Sequence, residues 1–118
     1  MTEEKRAVTE TKSGFVNDNP SLQIIPVKLD GTNYLAWSRS YLLFIQARGL
    51  QGYVIGDSLK PEITSSNYIQ WESENSLVMS WLINSMQPQI AQGYLLLNSA
   101  ATIWNAVFQT YSQMGNDA

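Results

Sequence analysis

The spacing of the large aromatic side chains constrains this chain most. In LDGTNYLAWSRSYLLFIQARGL, Leu29 to Leu50, residues Tyr34, Trp37, Tyr41 and Phe44 recur at intervals of three and four. That spacing stacks side chains on one face of a helix, and the two-residue period of a strand cannot reproduce it. Advancing about 100° per residue from Trp37, the residues Phe44, Tyr41, Tyr34, Ile45, Leu42 and Leu35 fall within about half the circumference. Arg39, Ser40 and Gln46 take the other half, with Leu43 the one large apolar residue among them. Asp30-Gly31 is a turn signal, Thr32 or Asn33 suits the N-cap, and Gly49 suits the C-cap. A wide-faced amphipathic helix is predicted over about residues 33–48, its rings turned mostly to a core.

The same reasoning extends along the chain. Residues 1–20 are polar and aperiodic and read as a disordered leader, with residues 21–118 forming the folded domain. Pro26 within SLQIIPVKL permits an edge strand or extended arm but not a central strand. Gly52, Gly56 and Pro61 mark a connecting loop, with a short extended piece at Tyr53–Ile55. Ser65, Ser66 or Asn67 caps a second helix running to about Met86, whose main apolar face is Trp71, Val78, Leu82, Tyr68, Met79 and Met86. Leu77 and Trp81 fall on the flank of that face. Pro88 breaks the chain and opens a short third helix to about Leu96. After Asn98 and Ser99, a last helix over residues 100–111 places Trp104, Phe108, Tyr111, Val107, Ile103 and Ala100 on one side. The expected fold is all-α: about four main helices preceded by an extended arm.

Composition narrows the chemistry. The chain has 118 residues, one domain's worth, and contains neither cysteine nor histidine. Disulfides, Cys/His zinc sites, thiolate nucleophiles and imidazole bases are therefore excluded. Glu72 and Glu74 lie two apart on a helix and do not face each other. Asp57 and Glu62 sit in a loop around Lys60, and GLQGYVIGD lacks the spacing of a phosphate-binding loop. No nucleophile, base and orienting group can be assembled, so neither enzyme activity, a cofactor nor a small-molecule substrate is expected. A net charge of −3 and a pI near 4.7 oppose tight nucleic-acid binding. The longest apolar runs are far short of the ~20 residues of a membrane span, and a cytosolic or nuclear setting is expected.

One further feature points outward. From Asn75 to Asn116 there is no charged residue, whereas solvated helices normally carry Lys and Glu. Either these helices meet another protein chain or they form a buried hairpin within the domain, because charge is depleted in both settings.

Three motifs occur in order. The first holds Leu29, Asp30, Gly31, Asn33, Tyr34 and Trp37. The second holds Trp71, Asn75, Val78, Trp81, Leu82, Ser85 and Met86, and the third Ser99, Ala100, Ile103, Trp104, Val107 and Tyr111. Together they resemble the N-terminal Gag region of Copia-type LTR retrotransposons, especially those of plants, over about residues 22–112. The resemblance implies a mostly helical, capsid-like domain that self-associates into virus-like particles, with RNA bound through a downstream CCHC knuckle absent from these residues. Two alternatives stay open: a domesticated adaptor that binds a host protein, and an RNA-binding module. Asp30 and Gly31 are expected to close a turn, Asn33 or Thr32 to start the helix, and Trp37, Trp71 and Trp104 to anchor three helices in a shared centre. Leu77 and Trp81 are candidate partner contacts; for Trp81 the rival role is to cover another side of the domain's own core.

Overall fold

The computed structural model describes residues 27–114; the expected leader and most of the expected arm lie outside that range. Within it the chain forms α1 (Tyr34–Gln46), α2 (Gly52–Ile55), α3 (Tyr68–Asn84), α4 (Pro88–Ala91), a 3-10 turn (Gln92–Tyr94) and α5 (Ala100–Tyr111). The fold is all-α, as the periodicity predicts. Among the described residues the one β-type pairing is an isolated parallel bridge between Leu29 and Met86. Leu29 donates its N–H to Ser85 O at 2.9 Å and accepts from the Gln87 N–H at 3.0 Å. The end of the arm is thereby clasped between the close of α3 and the start of α4.

Helix ends follow local chemistry. Gly49 adopts φ +71°, and its N–H meets Gln46 O while the Leu50 N–H reaches back to Ile45 O. That pair of bonds is a Schellman motif, whose left-handed residue is ordinarily glycine. Pro88 stands at the first position of α4 after an extended Gln87, where its missing N–H costs no helical bond. Ser99 caps α5 by accepting from the Thr102 N–H at 3.1 Å. Asn33 and Asn67 occupy N-cap positions without a side-chain capping bond.

The core gathers Tyr34, Trp37, Tyr41 and Ile45 of α1, Val54 of α2, Val78, Trp81 and Leu82 of α3, and Ala100, Ile103 and Val107 of α5, with Leu29 and Met86 closing it. Four expectations need correction. Tyr53–Ile55 is helical rather than extended: Val54 and Ile55 donate to Gln51 O at 3.1 Å, and buried Val54 contributes an apolar anchor instead of a strand residue. Leu35 and Phe108, placed on core faces by the helical wheel, are 60% and 49% exposed; they lie at the margins of faces narrower than half a circumference. Trp81 belongs to the buried face of α3 rather than to its flank. Trp71, expected at the centre of that face, is only half-buried.

Candidate interaction surface

The turn before α1 is closed by side chains. The Asp30 carboxylate accepts from the Thr32 N–H and the Thr32 hydroxyl, both at 2.8 Å. These bonds, the backbone one foremost, hold its carboxyl below the ordinary aspartate value. Gly31 sits at φ +99° with Tyr111 against the space where a Cβ would stand, a conformation that L-residues avoid. Asn33 turns its side chain back across the turn, accepting from the Asp30 N–H at 3.0 Å and donating to Lys28 O at 2.9 Å. Asn33 thus ties the arm to α1 instead of capping free N–H groups at the helix start.

Trp37 and Trp104 do share a centre, with rings 5.5 Å apart, and Tyr41 lies 6.0 Å from the first and 5.6 Å from the second. The buried Trp37 N–H points at Ser85, 3.0 Å from both its carbonyl and its Oγ. The Tyr41 hydroxyl donates to Val78 O at 2.9 Å, and burial pushes its phenol pKa upward. Trp71 anchors elsewhere. Its ring lies 6.0 Å from Tyr53, and its N–H donates to Ser58 O at 2.8 Å. It fastens the loop between α2 and α3 to α3 and takes no part in the Trp37–Trp104 centre.

Beside Trp71 the Tyr53 hydroxyl donates to Glu74 Oε1 at 2.7 Å, and Gln70 donates to Oε2 at 3.2 Å. The bond from Tyr53, then that from Gln70, holds Glu74 below its ordinary value. Tyr53 is pushed up to about 12, by burial first and then by its bond to the carboxylate. The cleft beside this pair is lined by Tyr53, Leu59, Pro61, Asn67, Gln70, Trp71 and Glu74, with Glu74 its one carboxylate. Among the described residues no three acidic side chains gather as metal ligands, and no helix is long and apolar enough to cross a membrane.

Asn75 is a structural residue that periodicity missed. Buried in α3, its Oδ1 accepts from the Ala100 N–H at 3.0 Å and its Nδ2 lies 3.3 Å from Asn98 O. A polar residue on an apolar face is the signal that was available.

The outward side of α3 is different. Leu77 is 44% exposed, while Trp81 is turned inward. The Trp81 ring meets Phe44 edge-on at 5.1 Å, and the Arg48 guanidinium lies 3.6 Å above the Phe44 ring and 5.6 Å from Trp81. Internal packing thus accounts for Trp81, and Leu77 alone faces solvent as a contact candidate. Near the end of α3 an open groove is lined by Ser76, Met79, Ser80, Ile83, Asn84 and Leu95, with no charge among them. An adjoining groove shares Ile83, Asn84 and Leu95 and has Lys28 in its lining.

Comparison with known proteins agrees with these motifs. Residues 15–62 match the family described as Gag-polypeptide of LTR copia-type. The chain is 24% identical over 94 residues to the Retrovirus-related Pol polyproteins from transposons RE1 and RE2 of Arabidopsis thaliana, covering 72% of this chain. The match spans 6% of the length of each of these relatives. No solved structure matches the chain.

Proposed function

We propose for this chain, a Gag-like domain of the copia-type retrotransposon polyproteins, a structural and non-catalytic role in which copies associate with one another as units of a particle. The observation that carries this reading is the uncharged outward side of α3 after Glu74 and of the turn after α4. There Leu77, Leu95 and Leu96 stand exposed within a segment that has no charged residue. Apolar side chains without flanking Lys or Glu are a poor solvent surface and a good protein surface. The similarity to a Gag-polypeptide family supports a structural role over a catalytic one.

Analytical ultracentrifugation of the full chain over a wide concentration range tests the proposal. A sedimentation coefficient that rises with concentration is expected. A chain that stays monomeric at millimolar concentration overturns it.

A further inference from the structure

We infer that the copy–copy contact is made by Leu96 of one copy entering the groove between α3 and the 3-10 turn of another. This inference rests on the self-association reading and names its site. Among the described large apolar side chains Leu96 is the most exposed, at 93%. It follows directly on Leu95, which forms one wall of the groove. Half-buried Met79 and Ile83 are the apolar lining of that groove, and Ser76, Ser80 and Asn84 are its uncharged polar residues. A protruding leucine and an apolar recess that share a wall make one patch complementary to itself. A second copy of the chain brings the same pair, so the contact can be reciprocal about a two-fold axis.

Charge favours this occupant. The chain is net negative, and Asp57, Glu62, Glu72 and Glu74 all lie before the groove residues in sequence. Two identical copies meeting through those carboxylates would set like charge against like. Meeting through residues 76–96 they set none, and the serine and asparagine side chains pair without desolvating an ion. Lys28 is in the lining of the adjoining groove and not of this one.

The chain lacks cysteine, which makes a clean test available. Full-length S80C and L96C single variants are mixed and treated with a short bismaleimide, while sedimentation measures association of wild type, L96D and L43D. Leu43 is half exposed on α1 and serves as the control. The expected result is a cross-linked S80C–L96C heterodimer, a dissociation constant raised at least tenfold by L96D, and no change with L43D. Circular dichroism should show both Asp variants folded, since neither side chain is buried. If the wild-type chain associates but L96D does so equally and the heterodimer is absent, the Leu96 contact is wrong while self-association stands. If the wild-type chain does not associate at all, both fall.

Discussion

Trp37 gives its N–H to Ser85 in a place water does not reach, so size and hydrogen bond can be separated by substitution. Trp37→Phe keeps most of the ring and strips a donor from the two Ser85 oxygens; about 1–3 kcal/mol should be lost. Trp37→Ala also opens a cavity beside Trp104, raising the loss to about 3–5 kcal/mol. Trp71→Ala, at a half-buried site, should cost less than Trp37→Ala, as urea denaturation would show. The tyrosines set the alkaline limit. The pKa of Tyr53 is raised by folding to about 12, and that of Tyr41 is raised by burial. A raised pKa means the unfolded chain ionises first, so the associated stability is complete below pH ~10 and declines as pH climbs from there. Glu74 and Asp30 have the opposite sign: their lowered pKa values add stability above the ordinary carboxylate range that disappears as the medium is acidified through their folded values. Denaturation midpoints measured across pH should therefore fall at both ends. Tyr53→Phe should weaken the acid-side fall assigned to Glu74, because it removes the shorter of the two hydrogen bonds to that carboxylate.

At the scale of elements, Asn75 couples α3 to the start of α5. Asn75→Ala leaves the Ala100 N–H buried and unpaired, at a cost of about 1–3 kcal/mol. Asn75→Asp keeps the acceptor for the Ala100 N–H near a helix N-terminus, but it buries a carboxylate and replaces the donor to Asn98 O with an oxygen. It should therefore also be destabilising, while hydrogen exchange in the first turn of α5 should be faster in the alanine variant, which alone lacks the acceptor. The existence and approximate limits of α1, α3 and α5 were legible in the sequence because their ring and aliphatic spacings repeat over several turns. The single turn of α2 was not. Tyr53–Val54–Ile55 has strand-like composition, and its helical path depends on Val54 finding the core and on the Schellman turn at Gly49. Depth of burial was less legible than face. The wheel placed Leu35 and Phe108 inward and Trp81 on the flank, because a helical wheel cannot know where neighbouring helices end. Phe44 of α1 and Arg48, just beyond its end, lie against Trp81. Of the candidate contacts, Leu77 was visible as an off-face apolar residue. The groove was not, since it needs the 3-10 turn to bring Leu95 against Met79 and Ile83.

For the whole molecule, the distribution of charge predicts how association responds to solution conditions. A contact that contains no ions has no Coulomb attraction for salt to screen. Raising sodium chloride from low to high concentration should leave the self-dissociation constant nearly unchanged or lower it slightly, as sedimentation in a salt series would reveal. Binding driven by phosphate neutralisation would instead weaken steeply. Net charge still acts at long range, so the approach of two acidic copies should quicken with salt even where affinity does not move. The meeting of α1 and α5 through Trp37 and Trp104, tilted 33° at 5.5 Å, has an optical consequence. Indoles that near couple through their strong far-ultraviolet transition, so the native domain should show a paired exciton band in its far-ultraviolet dichroism. That band must vanish once the two helices part, giving the protein a label-free spectroscopic gauge of its own integrity.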